Sequence, residues 1–361
     1  MNAEFDLLLA GAGHAHLGVL RQWLSVPRPH GRIALISDGA SAWYSGMLPG
    51  VLAGRYWPDQ CRVPLSALCA SAGIELIQGE IADIDPDSNS LKLADGRVYS
   101  AKWLSLNVGS TLEPLQVDTC DLEMVPVKPF VGLVRAWYAW KQTPQPLAIL
   151  GGGAAGVELA LALAPQVSEL TLISSGKILA GHPPGLRAKA IRSLVSANVK
   201  LIEGSFVDSA HRDALLSGSK IVWRGKQLIL ATGAVPLPWL REGVLAYDKR
   251  GFIAISPTLQ SLSHQSIFAV GDCASLPDCP RNGVYAVRQG SILAKNLAAA
   301  LEKKQLSNFV PQRHALALLA DGKGGAMMSW AGITVQGRLF GRWKDRLDQS
   351  FINKINKIKK I

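Results

Sequence analysis

The sequence predicts an α/β fold of two parallel-sheet units, the second inserted into the first, followed by a short C-terminal element. Three observations predict it. The 361 residues are 48% apolar, enough for two cores and too many for a disordered chain. Two apolar runs, Leu7-Leu8-Leu9-Ala10 and Leu147-Ala148-Ile149-Leu150, each stop at a glycine cluster and pass into helical periodicity. Short apolar strands then alternate with helical stretches, the pattern of βαβ units.

The elements follow in order. Residues 5–10 form the first strand, and a helix is expected over about 14–24. Residues 32–37 read as the second strand, and 38–54, rich in Gly, Ser and Pro, as a loop. Residues 74–84, 90–93 and 97–106 read as a β-meander with Asp95-Gly96 at a turn. Its last strand runs into Asn107-Val108-Gly109, a small ending that suits close contact with a cofactor. The pattern restarts near Glu113, with strands at 147–150, 170–174, 199–202, 220–223 and 227–231 and a helix at 156–164. It ends in Leu230-Ala231-Thr232-Gly233. Residues 265–272 form a strand ending in an acid, and a helix follows near 284–301. Residues 1–112 and 246–330 are thus expected to make one discontinuous domain and 113–245 the inserted one, with 331–361 a basic amphipathic tail.

Glu4 and Asp6 precede the first apolar run, so a signal peptide is not expected. The apolar stretch 147–165 contains three consecutive glycines and Glu158 and reads as strand, turn and helix, not a membrane span. The five cysteines (Cys61, Cys69, Cys120, Cys273, Cys279) are odd in number and show no Cys-x-x-Cys spacing. This argues against a disulfide framework and a zinc site, and fits a reduced cytoplasm. His14, His16 and His30 do not make a metal set, so no metal is expected. Of the net +11, residues 338–361 carry three Arg, five Lys and two Asp, a net +6. Trp343, Leu347, Phe351, Ile355 and Ile358 share one helical arc, onto which Lys344 and Lys354 also fall. The tail suits an anionic membrane surface, as peripheral attachment to the cytoplasmic face of an inner membrane. The other reading is a helix packed on the chain's own core. Nucleic acid is not expected, because the basic residues come with aliphatics and not stacking aromatics.

The glycines carry the chemistry. They let the backbone turn tightly and approach a pyrophosphate, which then lies against the free N–H groups of a helix start. Two such Rossmann-like fingerprints imply two bound dinucleotides facing each other, as when a flavin accepts hydride from a nicotinamide. Gly11, Gly13 and the N–H groups of His14 and Ala15 are expected to cradle the FAD pyrophosphate. Ser37 and Asp38 follow the second strand, where a polar group meets the adenosine ribose, although Asp38 also fits a plain loop carboxylate. Gly151, Gly153, Ala154, Ala155 and Gly156 belong to the nicotinamide nucleotide. Its second strand ends in Ser174-Ser175, where an acid would hold the ribose of NADH, and Lys177 can attract a 2′-phosphate.

In order along the chain, Gly11-Ala12-Gly13, the glycines of 151–156, Ala231-Thr232-Gly233 and Gly271-Asp272 resemble the two-domain flavoproteins of the pyridine nucleotide-disulfide oxidoreductase superfamily. Tyr44-Ser45-Gly46-Met47-Leu48-Pro49-Gly50, Val284-Tyr285-Ala286-Val287-Arg288-Gln289-Gly290 and Trp343-Lys344-Asp345-Arg346-Leu347-Asp348 resemble the flavoprotein module fused ahead of selenide, water dikinase. That module is itself similar to type II NADH:quinone dehydrogenases, and the chain holds no dikinase part. The resemblance implies FAD as cofactor and NAD(P)H as substrate, with electrons passed to a quinone or other acceptor. It places Asp272 on the ribityl chain, the other reading being a helix N-cap. It brings Glu158 to the nicotinamide–flavin contact, the other reading being a first-turn acid complementing the helix dipole. It sets Gln289 at the acceptor face and adds Pro49, Val108, Gly109, Gly233 and Gly271 to the cofactor-binding residues. Gly283 and Val284 open a helix whose N-terminus can stabilise a reduced flavin. Lys128 reaches the flavin or Glu158, or else snorkels at the surface. His16 stands where a third glycine is usual, so a looser helix is expected there, and the dithiol motif of the disulfide reductases is missing. The function implied is an FAD-dependent NAD(P)H dehydrogenase. Two alternatives are a sulfide:quinone oxidoreductase-like enzyme using Cys120 and Cys273, and a flavin redox sensor or accessory module in selenium metabolism.

Overall fold

A computed structural model describes residues 4–241 and 245–356. Its first sheet is built on β1 (Phe5–Ala10), whose side chains are almost all buried. The glycine turn after β1 leads into α1 (His14–Trp23). β2 (Ile33–Ser37) and β3 (Glu75–Gln78) extend the sheet in parallel on one side. On the other side β4 (Ile81–Asp85), β5 (Ser90–Leu93) and β6 (Val98–Leu106) form an antiparallel meander whose last strand lies parallel to β1. The stretch expected as one strand at 74–84 is therefore two. Gly79 and Glu80 interrupt it, because Ile77 faces the core beside β2 while Ile84 faces it across the meander.

The second sheet has the order β7 (Glu123–Pro126), β11 (Gln227–Leu230), β8 (Leu147–Leu150), β9 (Leu170–Ile173) and β10 (Lys200–Ile202), all parallel. Fully buried four-residue runs such as Leu147–Leu150 are what a parallel sheet covered on both faces requires. α2 (Ala154–Leu163) crosses over after β8. The expected strand near 220–223 is not in this sheet. Lys220–Arg224 joins Gln116–Cys120, Ser209–Arg212 and Ala214–Ser217 in a separate four-stranded sheet, because its exposed and buried residues suit a half-covered surface.

The chain then returns to the first sheet. β12 (Ile267–Ala269) pairs in parallel with β6, and α3 (Gly283–Leu301) packs against α1. The chain ends in a three-stranded antiparallel sheet, β13 (Ala317–Ala320), β14 (Ala326–Trp330) and β15 (Ile333–Gly337), and a long helix, α4 (Arg338–Asn356). A boundary at 330/331 falls inside the β14–β15 hairpin. α4 lies against α1, β13 and β14 with Asp348, Ile352 and Ile355 buried. The expected arc divides accordingly: Ile355 is inside, Phe351 is half-buried, and Trp343 and Leu347 face outward. Ile358 lies outside the described residues. No helix among the described residues is long and apolar enough to cross a membrane.

Candidate active site

The carboxyl ends of β1, β2 and β3 open onto a cavity of about 370 Å³. Its walls include Gly11–Gly13, Ser37–Asp38, the Gly79–Ile81 link and Asn107–Gly109. Gly11 has φ +85°, and a Cβ there would lie 2.7 Å from the Asn107 carbonyl, so only glycine makes this turn. Neighbouring strands are about 4.8 Å apart, so the three strand ends offer successive stations for a pyrophosphate, a ribose and a base. That order fits the ADP half of FAD.

The helix start beside this cavity differs from expectation. The N–H groups of Ala15 and His16 both donate to Asn107 Oδ1, at 3.1 and 3.2 Å. Ala15 is therefore already satisfied and does not cradle a pyrophosphate, and Asn107 acts as a cap supplied by a distant strand. His16 is fully buried and bridges the Gly11 carbonyl (2.6 Å from Nδ1) and Ser105 Oγ (2.8 Å from Nε2). The expected slack from the missing glycine is absent because the imidazole fills it. A carbonyl only accepts, so Nδ1 carries the proton and Nε2 accepts from Ser105. Burial holds the imidazole pKa down to about 4, so the ring is neutral.

Asp272 lies in a short turn after β12, and its Oδ2 pairs with Lys128 Nζ at 2.8 Å. Lys128 Nζ also donates to Ser110 Oγ at 3.3 Å, so it reaches Asp272 and not Glu158. Asp272 does not cap α3: Asn282 Oδ1 does, accepting from Val284 and Tyr285. The Val284 N–H is thereby occupied and is not free for a flavin anion. Gln289 is buried, and its Oε1 accepts from the Gly271 N–H at 2.8 Å. It holds the turn that carries Asp272. Pro49 is buried in the short helix Leu48–Leu52.

The second fingerprint closes on the end of β11. A Cβ at Gly156 would collide with the Gly151 carbonyl, so the helix can start this close to its strand only with glycine there. Ser174 is buried at the end of β9. Lys177 lines a cavity with His182 and Arg187. Arg187 is held by Glu203 Oε2 at 2.6 Å, and Glu203 Oε1 accepts from the Ile178 N–H. The carboxylate missing from β9 is thus present on the next strand end, but its bonds go to the loop. Gly233 is exposed after β11.

Glu158 is the fifth residue of α2, beyond its first turn, and faces the C-terminal element. Its Oε1 accepts from the Ala320 N–H of β13 at 2.7 Å. Burial raises its pKa, opposed by the Lys344 charge and this N–H. Lys344 and Asp348 of α4 form a buried ion pair at 3.0 Å. Burial acts to lower the Lys344 pKa, but Glu158 and Asp348 outweigh it and hold the ammonium charged. Tyr44 donates to Asp348 Oδ1 at 3.0 Å, and its ring stacks on Phe351 at 4.6 Å. His14 packs on both rings, at 5.4 and 5.7 Å. Burial keeps His14 neutral by lowering its pKa, with Asp272 opposing and Lys128 assisting. α4 therefore delivers Phe351 to His14 at the start of α1, and Lys344 and Asp348 to the neighbouring Tyr44–Gly46 turn.

Residues 5–290 match the family described as pyridine nucleotide-disulphide oxidoreductase. The chain belongs to that family. It is an oxidoreductase of the family, whose membership implies FAD with NAD(P)H. Among its relatives, ferroptosis suppressor protein 1 of Taeniopygia guttata is 26% identical over 254 residues, 65% of this chain and 66% of that protein. The type II NADH:quinone oxidoreductase of Haemophilus influenzae is 26% identical over 186 residues, 45% of this chain and 42% of that enzyme. Each match spans less than two thirds of the relative. The sulfide:quinone oxidoreductase structure from Aquifex aeolicus has a TM-score of 0.80 at 16% identity, covering 98% of this chain and 91% of that one. That likeness is one of fold.

The family's dithiol chemistry has no counterpart here. Cys273 Sγ donates to the Val270 and Leu106 carbonyls, and burial raises its pKa to about 11. Cys120 Sγ donates to the Arg212 carbonyl in the four-stranded sheet. The two thiols proposed for sulfur chemistry serve different sheets. Sequence reasoning missed Asn107, Tyr44 and Asp348 as site residues. Asn107 and Asp348 had faint signals: a lone amide closing a buried strand, and an aspartate one turn after a lysine that already spoiled an apolar arc.

Proposed function

We propose that this protein is an FAD-dependent NAD(P)H dehydrogenase that passes hydride from nicotinamide to flavin and then two electrons to a quinone at a membrane surface. The observation that carries the reading is the pair of glycine turns at the carboxyl ends of two parallel sheets, one opening onto a cavity ordered for the ADP half of FAD. FAD, when bound, supplies the two-electron chemistry between nicotinamide and acceptor. Gly11 and Gly13 bring backbone to the pyrophosphate, Ser37 and Asp38 meet the ribose, and Asp272, steadied by Lys128, accepts from a ribityl hydroxyl. Val108 and Gly109 wall the same cavity. Gly151, Gly153, Ala154, Ala155 and Gly156 seat the nicotinamide nucleotide, with Ser174 and Lys177 at its ribose.

Reducing a quinone takes two electrons and two protons, one arriving with the hydride. Glu158 holds a proton above the ordinary carboxylate range because desolvation disfavours its charge, and the Lys344 ammonium beside it stabilises negative charge on a reduced acceptor. The names of several relatives, including the Haemophilus enzyme and a demethylphylloquinone reductase of Synechocystis, support a quinone as that acceptor. The outer face of α4 exposes Leu339, Trp343 and Leu347 among Arg338, Arg342 and Arg346. This suits peripheral attachment to an anionic bilayer. A sulfide-oxidising reading is not favoured, given the separated thiols. Steady-state assays of NADH or NADPH with a short-chain quinone test the proposal. Sustained turnover supports it, and a single reduction without turnover overturns it in favour of a sensor.

A further inference from the structure

Two residues that line the FAD-type cavity come from outside the first sheet and its loops: Leu237 and Trp239. They flank the start of a short helix, Pro238–Arg241, on the segment leaving the second sheet after β11 and the two-residue strand Ala234–Val235. That helix packs against β4. β4 begins at Ile81, which lines the cavity at the station farthest from the pyrophosphate turn. A base held beyond the ribose station of Ser37 and Asp38 therefore lies toward Trp239.

The two tryptophans on the cavity wall are not equivalent. Trp43 is stacked on Phe130, ring centroids 5.2 Å apart and planes 16° from parallel, so one of its faces is occupied. Trp239 is half-buried and stacks on no other ring among the described residues. A large ring with no ring partner, on the wall of a cavity lined by glycines, small polar groups and the aliphatic Ile36, Ile81 and Val108, matches an adenine. Purines stack on indole without needing a particular hydrogen-bond pattern.

We propose that Trp239, backed by Leu237, closes the adenine end of the FAD cavity, so that the segment leaving the nicotinamide-side sheet serves as the cofactor's clasp. This rests on the FAD reading above and adds to it a specific contact to adenine. Because the clasp comes from the connection to the second sheet, FAD binding also fixes that connection against β4.

The test compares wild type, Trp239→Ala and Trp239→Phe as FAD-loaded proteins. FAD release on dilution is followed by flavin fluorescence, and melting temperatures are taken with and without FAD. Trp239→Ala should release FAD about tenfold faster, Trp239→Phe should stay close to wild type, and the flavin-free proteins should melt alike. The ten tryptophans give a second readout: FAD should quench less intrinsic fluorescence in Trp239→Phe than in wild type. Unchanged release from Trp239→Ala overturns the clasp. So does a flavin-free Trp239→Ala destabilised as much as the loaded one, since Trp239 then only packs. If Trp239→Ala does not fold, the quenching comparison decides alone. Failure of wild type itself to retain FAD would instead strike the FAD reading.

Discussion

Glu158 is a half-buried carboxyl with one N–H donor and a nearby ammonium, and its position decides what it can do. Glu158→Gln keeps an acceptor for the Ala320 N–H but removes the proton-holding group. Flavin should stay bound, while reoxidation by quinone slows by about tenfold or more. The pH dependence of that step should flatten, because the wild-type carboxyl titrates above its ordinary range. Equal stopped-flow rates and equal pH profiles would reduce Glu158 to a structural acid. His16 gives a stability prediction. Its unfolded pKa is near 6.5 and its folded pKa about 4. As pH falls, the unfolded chain takes up the proton first, so stability present above 6.5 is lost on acidification toward 4, by about 3 kcal/mol at the limit. Urea unfolding at pH 7 and pH 4.5 should show a larger acid loss in wild type than in His16→Gln, and an equal loss would contradict the buried neutral ring. At this scale the sequence was readable where chemistry needs a fixed residue type, as at Gly11 and Gly156. It was opaque where a side chain such as Asn107 acts through partners far along the chain.

α4 shows the limit at the level of elements. Its charge and arc suited a detachable membrane tail, but Asp348, Ile352 and Ile355 are inside. A periodic apolar stripe states that one face is covered without saying by what. Ile352→Ala should cost about 2–5 kcal/mol, measurable by chemical denaturation, and deleting residues 338–361 should lower stability and slow the acceptor step together. Replacing the outward Leu339, Trp343 and Leu347 with Ser should instead release the protein from anionic vesicles with NADH-to-ferricyanide activity intact. Vesicle binding unchanged by this triple replacement would remove the membrane role from α4. The end of β9 gives the remaining prediction for an element. With Ser174 in place of an acid, Lys177 exposed, and Glu203 spent on Ile178 and Arg187, kcat/KM for NADH and NADPH should differ by less than about a hundredfold. A larger ratio would mean that another residue reads the 2′ position.

For the molecule as a whole, fully buried runs such as Leu7–Ala10 and Leu147–Leu150 made both parallel sheets legible, since a strand covered on both faces has little choice of residue. The half-covered strands misled: Lys220–Arg224 went to a separate sheet, and Glu123–Pro126, with one inward Val125, was not seen as the edge of the second. The central claim is that one fingerprint holds a flavin and the other the nicotinamide that reduces it, with a quinone as the acceptor that reoxidises it. An anaerobic visible spectrum of the purified, FAD-supplied protein tests it most directly, with NADH or NADPH added first and a short-chain quinone second. The account predicts about one FAD per chain, bleached by the nicotinamide and restored by the quinone. A protein that shows no flavin absorbance, or a bound flavin that neither nicotinamide reduces, would contradict it.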